Sequence, residues 1–129
     1  MIVLDTHVLL WAVADSKKLS RAADAAIRRS RQADGVAISA ITLWELASLV
    51  ARGRIRDYGT VENSVNRLIE GVTIKPITPE IAALATQFPN DYPHDPADRL
   101  IGATARAEGL ALVTRDENIR RSPLLKTIW

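Results

Sequence analysis

The chain has 129 residues, 47% of them hydrophobic and 25% charged, with no cysteine, two histidines and a formal net charge of +2. A chain of this length buries roughly two thirds of its unfolded surface, enough for one self-sufficient core, and the composition is that of an ordinary globular protein. Disulfides and thiolate metal sites are excluded, two imidazoles suit a structural zinc site poorly, and any metal would be a hard, oxygen-seeking ion such as Mg²⁺ or Mn²⁺. Apolar runs are too short to span a bilayer, and Asp5 breaks the first before it can act as a signal peptide's apolar stretch, so the expectation is a cytoplasmic protein with no membrane contact.

In chain order, Ile2 to Asp5 reads as a short β-branched strand and residues 6 to 14 as a helix. Ser20 caps a second helix, in which Ala22, Ala23, Ala26 and Ile27 recur at helical spacing. Residues 36 to 39 (VAIS) form a second strand, followed by a helix over 41 to 52 that Gly53 ends. Thr60 caps a helix running to about residue 70, VTIKP at 72 to 76 is the third strand, and Thr78 followed by Pro79 opens a fifth helix. Asp95 followed by Pro96 opens a sixth, which Gly109 closes. ALVT at 111 to 114 is the fourth strand, and the tail near Lys126 to Ile128 adds an edge strand. The four central strands read as buried on both faces, Trp11 and Trp44 read as core residues, and Gly102, Ala103, Ala105 and Ala107 permit close packing of the sixth helix on a sheet. Strands alternating with helices predict one α/β domain over residues 1–129, a three-layer α/β/α sandwich around a mostly parallel central sheet.

Four acids stand against the most apolar stretches: Asp5 in LDTHVLLW, Glu45 in ITLWEL, Asp98 in HDPADRLIGATARAEG and Asp116 in LVTRDENI. A carboxylate is costly to desolvate, so acids placed there need hydrogen bonds or a cation to compensate. On the outline above all four fall near carboxyl ends of strands or amino ends of helices, the edge where open parallel sheets build their sites. Asp5, Asp116 and the neighbouring Asp95 also have a plainer role. Asp5 is placed to cap the first helix, Asp95 to cap the sixth, and Asp116 to begin a surface turn with Glu117 and Asn118. Capping explains Asp98 less fully, because two acids in one turn repel unless a cation or water separates them. Thr6 and Thr114 are supporting candidates, Thr114 through a hydroxyl offered to the same pocket. His7 is placed for packing or capping, or for phosphate contact or proton transfer, and His94 for a loop. Lys17, Lys18, Arg21, Arg28, Arg29 and Arg31, with Arg52, Arg54 and Arg56, leave the surface outside the acids basic, which suits a polyanionic substrate. For Arg28, Arg29 and Arg31 the plainer reading is the solvated face of a helix. No GxGxxG, P-loop or GxSxG occurs.

Taken in order and over essentially the whole chain, LDTHVLLW, ITLWEL, HDPADRLIGATARAEG and LVTRDENI resemble the PIN-domain ribonucleases, specifically VapC-type toxins of prokaryotic toxin–antitoxin systems. The resemblance implies a PIN-like fold, with Asp5, Glu45, Asp98 and Asp116 as the acidic quartet and Asp95 as a helix cap or outer ligand. It also implies Mg²⁺- or Mn²⁺-dependent hydrolysis of RNA by metal-activated water, homodimerisation, and silencing by a VapB-type antitoxin. Two other functions compete: a phosphoaspartyl α/β phosphatase with Asp5 as nucleophile, which would want a second Asp where His7 stands, and a PIN-like module that binds RNA or antitoxin without catalysis.

Overall fold

A computed structural model describes all residues from 1 to 129. The strands are β1 (Ile2–Leu4), β2 (Val36–Ser39), β3 (Val72–Lys75), β4 (Leu112–Val113) and β5 (Thr127–Ile128). They form one sheet in the order β3-β2-β1-β4-β5, and every neighbouring pair runs parallel. Between them lie helices α1 (Thr6–Ala14), α2 (Arg21–Gln32), α3 (Ala40–Ala51), α4 (Val61–Leu68), α5 (Pro79–Thr86), α6 (Pro96–Glu108) and the one-turn α7 (Glu117–Arg120), plus a 3₁₀ turn at Ser16–Lys18.

Strand alternation builds two cores. Ile2, Leu4, Val36, Ile38 and Val113 face one way and pack with Val8 and Leu9 of α1, Ala23, Ala26 and Ile27 of α2, Leu46 of α3 and Leu68 of α4. Val3 and Leu112 face the other way and pack with Ile81 and Ala85 of α5, Ile101, Ala103 and Ala105 of α6, and Ile119 of α7. The three-layer α/β/α sandwich is therefore present, and the sheet is parallel throughout. Helix starts match the sequence reading because each is fixed by a side-chain cap: Ser20, Thr60, Thr78 and Asp95 all accept backbone N–H bonds from the first turn. Gly109 closes α6 at φ 66°, a left-handed position that glycine takes without strain.

Three local expectations change. β3 is half-exposed rather than buried on both faces, because it lies at the sheet edge, where one side has no strand to cover it. Trp44 is 64% exposed and not a core residue, since α3 turns Thr42, Leu46 and Val50 inward and Trp44 falls on the opposite side. Asp116 opens α7 rather than a free turn, with its Oδ1 accepting from Asn118 N (2.8 Å) and Ile119 N (3.1 Å). Arg28, Arg29 and Arg31 lie exposed on α2, Arg28 paired with Asp24, as for a solvated helix face.

Gly102 has a tighter reason to be glycine than closeness to the sheet. Its missing side chain makes room for the edge-to-face pair of Phe88 and Tyr92, whose ring centroids are 4.5 Å apart. A Cβ at residue 102 would fall 2.2 Å from the Tyr92 hydroxyl and 2.8 Å from Phe88. Gly102→Ala should therefore cost about 1–3 kcal/mol of stability through overpacking, read as a lower denaturation midpoint at unchanged slope.

Candidate metal and active site

The sheet order places the site. β1 connects through α1 and α2 to β2 on one side, while the chain returns across the sheet to lay β4 on the other, so β1 and β4 flank the point where strand order reverses. Helices diverge there and leave a crevice at the carboxyl ends of the strands. Asp5 follows β1 directly, and Thr114 and Asp116 follow β4. α3, entered from the carboxyl end of β2, brings Glu45, and the start of α6 brings Asp95 and Asp98. The result is a cleft of about 470 Å³ lined by Asp5, Thr6, Glu45, Asp95, Asp98 and Asp116, with His7, Trp11 and Arg115 on its wall.

Every acid except Asp98 has hydrogen bonds that fix its carboxylate. Asp5 accepts from Thr6 N (2.9 Å) on one oxygen and from the Thr114 hydroxyl (2.8 Å) on the other, and Thr114 in turn accepts from Asp116 N (3.1 Å). Glu45 accepts from the Thr6 hydroxyl at 2.5 Å. Thr6 has only one hydroxyl hydrogen, so its 3.0 Å contact with the fully buried Thr42 must be donated by Thr42, giving a directed chain Thr42 to Thr6 to Glu45. Asp95 uses one oxygen as the α6 cap, accepting from Ala97 N (2.8 Å). Capping is thus real for Asp5, Asp95 and Asp116, each through one oxygen, and Asp5 alone among them accepts from another side chain on its second oxygen.

Electrostatics sets Asp98 apart. Desolvation first, then the charges of Asp5, Asp95, Glu45 and Asp116, push its carboxyl up to about 7. Burial also raises Asp5, against the lowering effect of its Thr114 and Thr6 hydrogen bonds, and raises Glu45 against that of Thr6. None of these acids is paired with a lysine or arginine, although Arg115 borders the cleft. Collected negative charge without a protein counter-charge fits a hard divalent cation. No three of the acidic or imidazole groups stand close enough together, as placed, to share one ion.

The backbone around Asp98 is held from behind. The Tyr92 hydroxyl donates to Asp98 O at 3.2 Å. The Arg99 guanidinium donates to Pro93 O (2.9 Å), Phe88 O (2.8 Å) and Pro89 O (3.1 Å), tying down the segment that leads into α6. Sequence reasoning missed Thr42 and Arg99. Thr42 had a signal, one helical turn before Glu45 on the same face of α3; Arg99 had none, because its acceptors are backbone carbonyls of a loop. His7 is exposed at the cleft wall, while His94 lies in the loop with its Nε2 2.9 Å from Asn90 O.

A crevice of acids at the switch point of a five-stranded parallel sheet defines a class, and comparison names it: the PIN domain family model matches residues 2–123, and the chain belongs to that family. Over 99% of its length the chain is 42% identical to Ribonuclease VapC22 of Mycobacterium tuberculosis, covering 98% of that protein. Among solved structures it is similar to VapBC2 from Rickettsia felis bound to a promoter DNA fragment, with a TM-score of 0.71 at 19% identity, covering 98% of this chain and 97% of that one. It is also similar to FitAcB from Neisseria gonorrhoeae, with a TM-score of 0.68 at 26% identity, covering 98% and 96% of the two chains. Neither the phosphatase expectation nor its requirement for a second Asp at residue 7 finds support in this family. No helix is long and apolar enough to cross a membrane.

Proposed function

We propose that the chain is, as a single PIN domain, a Mg²⁺- or Mn²⁺-dependent endoribonuclease, the toxin of a toxin–antitoxin pair, acting in the cytoplasm as a homodimer until a VapB-type antitoxin silences it. The observation that carries this reading is the convergence of Asp5, Glu45, Asp98 and Asp116, from four separate elements, on one cleft in which none of them is paired with a lysine or arginine. The ribonuclease name of the 42% identical relative supports the same reaction.

Asp5 and Asp98 would hold the principal ion, with Glu45 and Asp116 completing its shell or holding its waters, and Asp95 capping α6 beside it. When bound, the ion lowers the pKa of a water nucleophile and neutralises charge on the phosphoryl oxygens. The protein's own contribution is positional. Thr114 and the Thr6 amide orient the two Asp5 oxygens, Thr6 aims Glu45, and Tyr92 and Arg99 hold the turn that presents Asp98. No side chain is called on as a nucleophile.

The test is cleavage of a mixed RNA pool by antitoxin-free protein with Mg²⁺, with Mn²⁺ and with chelator. Cleavage is expected with either ion and absent in chelator. Cleavage that persists in chelator would overturn the metal role, and none with any ion, from folded protein, would favour the non-catalytic binding module.

A further inference from the structure

The cleft wall facing the acids is aromatic and basic, and it continues beyond the cleft. On α1, His7 and Trp11 lie one turn apart with ring centroids separated by 6.1 Å, and the Trp11 ring meets Trp129 at 5.9 Å. The Arg115 guanidinium sits over Trp11 at 6.0 Å. Trp11 and Arg115 line the acidic cleft, whereas Trp129 lines a second depression of about 430 Å³ with Arg120, Arg121 and Glu117. One ring of the Trp11–Trp129 pair thus lines each depression. Arg115 and Arg120 pair with no acid, and Arg121 reaches Glu117 at 3.7 Å and donates to the Asn118 Oδ1 at 3.5 Å, both on the surface. Both tryptophans are half-buried, packed in part against the core, and each lines one of the depressions.

We propose that this surface is a track for single-stranded RNA, leading from the scissile position at the acids, over Trp11 and Trp129, to Arg120. Successive bases stack on the indoles, and Arg115 and Arg120 meet the phosphates. Rigid aromatic faces interleaved with free guanidinium groups are what single strands are held by, because every base presents a π-face and every linkage a charge. A duplex keeps its bases stacked on each other and gains nothing from indoles. The inference rests on the ribonuclease reading and assigns the residues that hold the strand beyond the scissile position.

The test uses Trp44→Phe/Asp98→Asn protein, so that emission comes from Trp11 and Trp129 and no cleavage intrudes. Titration with the oligonucleotides rU12 and rA12 is expected to quench that emission. Trp11→Leu, which keeps apolar bulk against Trp129, should weaken binding about tenfold or more, and Trp11→Tyr should restore most of it. Arg115→Ala and Arg120→Ala, both surface changes, should together flatten the dependence of log affinity on log salt by about 1.4. No quenching in the background protein, unchanged binding after Trp11→Leu, or equal binding of an rA12·rU12 duplex would overturn the track. Failures remain separable: metal-dependent cleavage by wild-type protein with an unchanged KM in Trp11→Leu removes the track alone. Quenching without any wild-type cleavage removes the nuclease reading alone.

Discussion

Asp98→Asn is expected to stabilise the metal-free protein at neutral pH while abolishing RNA cleavage. The Asp98 carboxyl accepts no hydrogen bond and is raised from 3.8 to about 7, so between those values the folded chain holds a proton that the unfolded chain has released. Its contribution to stability therefore falls as pH climbs from about 4 to about 7 and is at its most unfavourable above 7. Asp5 and Glu45, also raised, act in the same direction. Asp98 is partly solvated, so screening reduces the effect to about 1–2 kcal/mol. Metal-free wild type should thus melt higher at pH 5 than at pH 8, and Asp98→Asn should lose much of that difference. Added Mg²⁺ should reverse the trend, stabilising wild type more at pH 8, where the ligand is already ionised. In cleavage, losing a charged ligand is expected to cost about 10³-fold or more. Activity within tenfold of wild type would remove Asp98 from the metal site. Asp5→Asn should be equally inactive but should not stabilise, because the amide cannot accept from both Thr6 N and Thr114 as the carboxylate does.

Thr6→Val should separate positioning from charge. The change is nearly isosteric, yet it removes the hydrogen aimed at Glu45 and the acceptor used by Thr42. Thr42 is fully buried, so its stranded hydroxyl should cost about 1–3 kcal/mol. Metal affinity should fall about 10- to 100-fold, the usual consequence of losing a group that orients a ligand. In the double variant Thr6→Val/Thr42→Val, both ends of the buried bond become apolar and stability should return, while metal affinity and cleavage should not. Thr6→Ser should retain both. Calorimetric Mg²⁺ titration beside thermal melts reads the two effects separately, and recovery of metal affinity in the double variant would overturn the orienting role of Thr6.

Much of the fold was legible because local chemistry and global arrangement agree. Helix starts are marked by capping side chains, and the short β-branched runs leave few alternatives to a buried parallel sheet. What was not legible depended on neighbours. VTIKP is as β-rich as VAIS, and only the strand order makes β3 an edge. Trp44 sits in an apolar helix whose inward side is decided by what it packs on. The acids were visible as charges against apolar sequence, and their local roles as caps were visible too. Their meeting was not, since it depends on β1 and β4 lying side by side. The hydroxyl chain from Thr42 escaped notice for another reason: a threonine in an apolar helix looks like filler until its partner, 36 residues away, is in place.

That adjacency of β1 and β4 also governs when the cleft can exist. Asp5 and its partner Thr114 are 109 positions apart, and Asp98 and Asp116 belong to the last third of the chain. During synthesis, β1, β2 and β3 can pair as soon as they emerge, but β4 must be made before the side of β1 that carries Asp5 is enclosed. Contacts between distant segments form late. A chain interrupted before residue 98 carries only Asp5 and Glu45 of the four acids, so incomplete products lack half of the cleft's carboxylates, and the proposed cleavage would come into being only with the finished fold.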